Sequence, residues 1–347
     1  MLRHSSDQEP GYTRKRHGRY WLYFDEKGKR LTDRDEIDRL NAIALPPAYT
    51  DAWYCKDANG HIQATGKDAR GRKQYRYHAD YRARQDASKY DGCREFGEAL
   101  PKLRKRVESD LKKRKVERDA VLAAVVRLLD TEHMRIGNEQ YAKANKSFGL
   151  STLRRRHLRK KRGKMVMRYT GKHGIVHEAT ISDSNLKRIV AKCQELPGQM
   201  LFQYVGEDGE PHPISSADVN AYIREATGSD FTAKHFRTWG ASVIFFEQLL
   251  ASKEGERQTL KTVLEPVAEA LGNTPTISRK SYVHPCLIEA LQEDARDPLH
   301  GMTRPRARRR LSSAETGFLA FLKRKPRRAR RRRSAANENE AKKANAA

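Results

Sequence analysis

The sequence predicts an α+β chain: a small β-rich N-terminal domain followed by a larger, mainly α domain that carries a small sheet. Three observations predict it. Residues 12–85 run as short aromatic and polar alternations between turn formers, as in "GRYWLYFDEKGKRLTD" and "PPAYTDAWYCKDANGHIQATGKDARGRKQYRYH", which is the grammar of small antiparallel strands. From about Gly92 the apolar residues recur at three- and four-residue spacing, in "FGEALPKLRKRVESDLKKRK" and "ERDAVLAAVVRLLDTEHMRIGNEQYAKAN", so the second domain begins helical. The 347 residues, 37% of them apolar, suffice for about two domains with at least one sizeable core.

In chain order, residues 1–11 show no periodicity and are expected to be disordered, 12–85 form the β-rich domain, and 86–94 link it to a second domain spanning 95–300. Within that domain, "KMVMRYTGKHGIVHEATI" (Lys164 to Ile181) predicts two strands joined by a tight Gly-Lys-His-Gly turn, with Lys172 exposed at its tip. A helix over "DSNLKRIVAKCQEL", a strand-turn segment over "LFQYVGEDGEPHPI", and a helix over "SSADVNAYIREATG" with a Ser N-cap and a Gly stop follow. Two more helices, "TAKHFRTWGASVIFFEQLLAS" and "QTLKTVLEPVAEALG", complete it, the latter ended by Gly272. From Gly301 the chain holds 16 Lys+Arg against 3 Glu around one apolar island, "TGFLAFL". So dense a charge predicts a disordered basic tail, 301–347, in contact with phosphate.

Charge narrows the function. With 71 Lys+Arg against 44 Asp+Glu the net charge is +27, and nucleic acid is the most economical anionic partner for such an excess, with an anionic membrane the lesser alternative. The longest apolar run, Ala120 to Val126, is far too short to span a bilayer, and no apolar stretch follows the N-terminus. An intracellular, cytoplasmic and nucleoid-associated protein is expected. Four scattered cysteines, Cys55, Cys93, Cys193 and Cys286, form no CxxC pair, so free thiols and no structural zinc are expected. No phosphate loop and no GxGxxG opening a helix is present, and no acidic cluster of the two-metal kind. No cofactor and no metal is expected.

Metal-free attack on a phosphodiester needs a nucleophile, cationic donors for the non-bridging oxygens, and an acid for the leaving alkoxide. Tyr, Arg and Lys can fill these roles; the planar guanidinium fork meets two oxygens at once and stays charged. "HMRIGNEQY" with Arg135, "YTGKHG" with Lys172, "AKHFRTWGAS" with Arg237 and "GNTPTISRKSY" with Tyr282 occur in an order that resembles the type IB DNA topoisomerases of the poxviral and bacterial branch, from about residue 20 to about 295. The resemblance implies the topoisomerase IB and tyrosine recombinase type of catalytic domain. It implies that Tyr282 attacks the phosphate to form a 3′-phosphotyrosyl link, that Arg135 and Arg237 hold the non-bridging oxygens, and that Lys172 is the general acid for the 5′-oxygen. Strand rotation and resealing would then need no ATP. Poxviral and eukaryotic members carry His where this chain has Asn273, nine residues before the tyrosine; an amide can donate a hydrogen bond there but adds no positive charge.

The N-terminal domain resembles the family through "GRKQYRYH", where Tyr75 and Tyr77 would share one strand face toward DNA with Gln74 beside them. In this family the two domains clamp duplex DNA, which implies a monomer. Packing or ion-pair roles compete at each of these positions, and His235 reads as a packing histidine. Two other functions compete. A tyrosine recombinase would place His three residues before the second Arg, where Lys234 stands in "KHFR"; a non-enzymatic basic DNA-binding protein would share the charge but has no use for the ordered Arg, Lys, Arg, Tyr set.

Overall fold

A computed structural model describes residues 2–161, 163–251, 258–292 and 305–324. The chain divides into two compact units, Met1–Asp91 and Gly92–Ala347.

The first unit opens with an antiparallel hairpin of β1 (Thr13–His17) and β2 (Tyr20–Phe24), in which His17 faces Tyr20 across a turn begun by Gly18 at φ +58°. Helix α1 (Arg34–Ala42) follows, its first turn capped by the Asp33 carboxylate, which accepts from the amides of Asp35 and Glu36. Strands β3 (Thr50–Tyr54), β4 (Ile62–Lys67) and β5 (Lys73–Tyr77) form an antiparallel sheet in sequence order. Tyr23, Leu40, Leu45, Tyr54 and Ala64 make the small core, with Tyr23 and Tyr54 meeting edge to face at 5.3 Å.

Residues 2–11, expected to be disordered, are instead bound to this unit. The amide of Arg3 donates to the carbonyl of Asn59 at 2.9 Å, and that of His61 returns to Arg3 at 2.8 Å. The Ser5 hydroxyl is buried against the Ile62 carbonyl, and Trp53 Nε1 donates to the carbonyl of Glu9 at 2.9 Å. Backbone hydrogen bonds and single side-chain bonds to distant residues, neither of which leaves a periodicity in a sequence, hold the segment. The expected linker, 86–94, is also mostly helix: α2 (Ala79–Asp91) and α3 (Cys93–Leu111) leave only Gly92 between them.

In the second unit the helices surround α4 (Arg118–Glu132), whose residues 120–126 are all buried, a helix apolar all round because neighbours cover every face. Helix α5 (Glu139–Asn145) leads to an antiparallel sheet of β6 (Leu158–Lys161), β7 (Lys164–Thr170) and β8 (Val176–Ile181), with Lys172 in the turn between β7 and β8 as the sequence predicts. Helix α6 (Ser184–Glu195), the β9 (Gln203–Val205) and β10 (Pro211–Pro213) hairpin, and α7 (Ser216–Thr227) come next. Helix α7 has the expected Ser215 cap and Gly228 stop. Helices α8 (Ala233–Ala251), α9 (Leu260–Leu271), α10 (Pro275–Ser281) and α11 (Pro285–Gln292) follow. No described helix is long and apolar enough to cross a membrane.

The expected disordered tail contains a further helix, α12 (Ser313–Lys323), capped by Ser312 and packed on α3 and α8. The rest of 301–347 lies outside the described residues, apart from 305–312 and Arg324. Phe318 is fully buried against Trp239 and Phe246. Glu315 is buried too, bonded to Arg104 at 2.7 Å and to Trp239 Nε1 at 3.0 Å, while Arg104 also holds Asp130 at 2.7 Å. The charge density around "TGFLAFL" masked an amphipathic helix whose acidic residue has a buried arginine waiting for it. Phe318→Ala is expected to cost about 3–5 kcal/mol, as for other large-to-small changes in a core; denaturant unfolding of the full chain measures it, and an unchanged midpoint would place α12 outside the cooperative core.

Candidate active site

Four of the candidate residues, Arg135, Arg237, Asn273 and Tyr282, meet in the second unit, and backbone contacts explain why. Arg135 stands just beyond α4, which ends in His133 at φ +48°. Its loop is pinned to the turn at Gly149: the amide of Leu150 donates to the Arg135 carbonyl at 2.9 Å, and that of Ser151 to the Ile136 carbonyl at 2.7 Å. A Cβ on Gly149 would lie 2.6 Å from the Arg135 carbonyl oxygen, so only glycine admits this approach. Arg237 lies in the first turns of α8 with its guanidinium buried, donating Nη1 to the carbonyl of His133 and Nη2 to the carbonyl of Leu271 at 2.9 Å. One arginine thus joins the ends of α4 and α9.

Gly272, at φ +58°, stops α9 and turns the chain into Asn273. The Asn273 carbonyl oxygen Oδ1 accepts from Arg135 Nη2 at 2.6 Å, while its Nδ2 is buried with no partner among the described residues. Because a guanidinium can only donate, this bond fixes the amide's orientation and commits Nδ2 as a donor. Thr274 caps the short α10, and Tyr282 closes it, its amide bonded to the Ser278 carbonyl at 3.0 Å.

Tyr282 meets both guanidinium groups. Arg237 lies over its ring, 4.8 Å from the centroid, and the phenol oxygen is within hydrogen-bonding reach of Arg237 and Arg135. Burial alone would raise the Tyr282 pKa, but Arg237 and Arg135 outweigh it, and the phenol titrates below its ordinary value. Tyr169 provides the contrast: burial pushes its phenol up to about 12, although the same two cations oppose the rise. Burial, and then the like charge of Arg135, depress Arg237 itself. A buried cation with a depressed pKa, a buried amide donor and an eased phenol thus meet within one cluster, the kind of perturbed group that marks a candidate site. Its donors are cationic or neutral, a set suited to phosphate oxygens and unsuited to a metal ion.

Lys172 is exposed, and no hydrogen bond or ion pair holds its ammonium among the described residues. The sequence motifs gave no sign of two histidines that shape the site. His133 carries the carbonyl that Arg237 grips, and its ring sits so close over Gly240 that a Cβ there would collide with it. His177 lies beside Tyr169. His235, as expected, packs, its ring against Phe96 and Phe231 and its Nδ1 accepting from the Thr232 amide at 3.0 Å.

The first unit presents Tyr75 and Tyr77 on one face of β5, 43% and 46% exposed and stacked at 6.0 Å, so they are not core aromatics. Gln74 is tied to Asp68 at 3.1 Å. In the second unit an open basin of about 1370 Å³ is lined by Lys143, Lys146, Arg154, Arg156, Arg159 and Arg168, among others.

Residues 78–301 match the catalytic core of eukaryotic DNA topoisomerase I, and residues 20–68 match the N-terminal domain of bacterial DNA topoisomerase IB. The chain is 32% identical over 295 residues to DNA topoisomerase 1B of Acanthamoeba polyphaga mimivirus, covering 82% of this chain and 88% of that one. It is 21% identical over 295 residues to DNA topoisomerase 1B of vaccinia virus (strain Copenhagen), covering 78% and 90%, and 23% identical over 244 residues to DNA topoisomerase 1 of rabbit fibroma virus (strain Kasza), covering 66% and 72%. The N-terminal match sets the recombinase alternative aside, and the catalytic-core match, which takes in Arg135, Lys172, Arg237, Asn273 and Tyr282, does the same for a purely architectural protein. The chain is a DNA-acting isomerase that belongs to the type IB DNA topoisomerase family.

Proposed function

We propose that the chain relaxes positively and negatively supercoiled DNA through a transient 3′-phosphotyrosyl link on Tyr282, with neither ATP nor metal. The observation that supports this reading most is the pair of guanidinium groups around one eased phenol. The Tyr282 phenol first loses its proton to water; the phenolate oxygen then attacks phosphorus, and the bond from phosphorus to the 5′-oxygen breaks. Arg135, Arg237 and the Asn273 Nδ2 donate to the non-bridging oxygens, where charge builds in the transition state. Lys172, on its turn, gives a proton to the departing 5′-oxygen. The covalent phosphodiester keeps the energy of the bond it replaced, so the freed strand rotates under torsion and attacks back by the reverse path. Lys172 is then reprotonated and Tyr282 leaves.

A single chain acting on duplex DNA satisfies this scheme. The exposed Tyr75 and Tyr77 faces suit base or backbone contact, with Gln74 as their companion, and the basic basin suits the phosphate backbone. Supercoiled plasmid incubated with the protein in EDTA and without nucleotide is expected to relax fully, whichever the sign of supercoiling. Loss of relaxation on chelation, or restriction to one sign, would sink the scheme.

A further inference from the structure

The geometry points to His177 as a positioning residue that sets where the Lys172 turn stands relative to the phosphate-holding groups, an inference that rests on the reading of Lys172 as the proton donor. His177 is on β8, directly opposite Tyr169 on β7, and the two rings stack at 5.2 Å with 14° between their planes. One edge of the imidazole faces Gly171, the residue before Lys172: a Cβ there would lie 2.6 Å from His177 Cδ2 and 2.7 Å from Nε2. The other edge faces Gly272, where a Cβ would overlap Cε1 and come within 3.0 Å of Nδ1. The ring is therefore a wedge between the turn that carries Lys172 and the turn that delivers Asn273.

Gly171 makes the case sharper. Its φ of −90° is open to any residue, so backbone conformation gives no reason for glycine there. Contact with the ring gives one. Gly272 needs its positive φ as well as the bare face. Lys172 itself has a flexible stem and, among the described residues, no bond to the rest of the site, and its turn is closed by the amide of Gly171 donating to the Ile175 carbonyl at 2.7 Å. A proton donor must reach its oxygen to hydrogen-bond distance. Through His177 the turn is referenced to Gly272, hence to Asn273 and, through the 2.6 Å bond, to Arg135. Burial, reinforced by Arg135 and Arg237, lowers the His177 pKa, so the wedge adds no charge to a site already crowded with cations.

The test compares single-turnover cleavage of two DNA duplexes that differ in one atom, the bridging 5′-oxygen or a sulfur in its place. A thiolate leaves without a proton, since thiols are far more acidic than alcohols, so the sulfur duplex does not need Lys172. His177→Ala is expected to slow the oxygen duplex by about 100-fold, the scale of a misplaced reacting group, and the sulfur duplex by less than about 3-fold. His177→Phe keeps a flat ring in the wedge and is expected to stay within about 10-fold on oxygen. Should His177→Ala not fold, His177→Gln, which keeps bulk without the ring plane, carries the same comparison. Equal slowing of both duplexes by the His177 variants, with sulfur rescuing Lys172→Ala, would overturn the positioning role alone. If sulfur fails to rescue Lys172→Ala, the proton-donor assignment falls and this inference falls with it.

Discussion

Tyr282→Phe is expected to abolish covalent capture of DNA and to slow relaxation by more than about 10⁴-fold, the scale seen when a nucleophile is removed from a site that acts as a unit. Only one oxygen is lost. The ring that packs under Arg237 remains, and so do the Ser278 contact of the backbone and the cation over the aromatic face. Thermal unfolding is therefore expected to move little, and DNA binding at fixed salt less than twofold. Denaturing electrophoresis of protein mixed with labelled DNA separates the outcomes: wild type yields a protein-linked band and Tyr282→Phe none. A linked band in the variant would transfer the nucleophile's role to another residue.

Arg237→Ala is the second large effect, and it has two components that the Lys variant pulls apart. On the proposed scheme, losing one guanidinium donor to the phosphate is expected to cost about 10²–10³-fold in single-turnover cleavage, as for removal of one preorganised donor. The His133 and Leu271 carbonyls also lose their buried donor, at about 1–3 kcal/mol for each group left unsatisfied. The variant should therefore melt earlier as well as cut slowly. Arg237→Lys keeps the charge but not the fork that spans the His133 and Leu271 carbonyls, so it should recover some rate and little stability. The pH profile gives an independent readout. Arg237 and then Arg135 hold the Tyr282 phenol below its usual value, and the phenolate needed for attack is lost as pH falls through that pKa. Removing Arg237 raises the pKa and should move the limb of the cleavage profile to higher pH. An unmoved limb with an unchanged rate would remove Arg237 from the reaction.

Much of this site was legible before any coordinate. Tyr282, Arg135, Arg237 and Lys172 could be named as candidates because cation-assisted attack on phosphate calls for such side chains and the ordered motifs resemble the topoisomerase family; the structure brings the tyrosine and the two arginines together. The Gly-bounded turn around Lys172 and the Ser215 to Gly228 helix were also readable, since turn and cap chemistry is local in sequence. What escaped depends on residues far apart in the chain coming close. His177 meets Gly272 and His133 meets Gly240 across about a hundred residues, and neither histidine has a local pattern to betray it. Helix α12 escaped for the opposite reason, because a local signal, the arginine density, outweighed the apolar spacing of "TGFLAFL". The held segment 2–11 rests on main-chain bonds and on single side-chain contacts to residues far along the chain, to which composition is blind.

Helix α12 also bears on when the protein acquires its chemistry. Synthesis runs from the N-terminus, so Tyr282 and every cation around it leave the ribosome before residues 313–323 do. Until then Trp239, Phe246 and Arg104 have no partner in Phe318 and Glu315, and Asp130, one turn before the carbonyl that orients Arg237, shares its arginine with nothing. The proposed strand-cutting site therefore waits on a stretch made after every one of its own residues, and a chain that stops short of α12 lacks the packing of Phe318 and the pairing of Glu315 with Arg104.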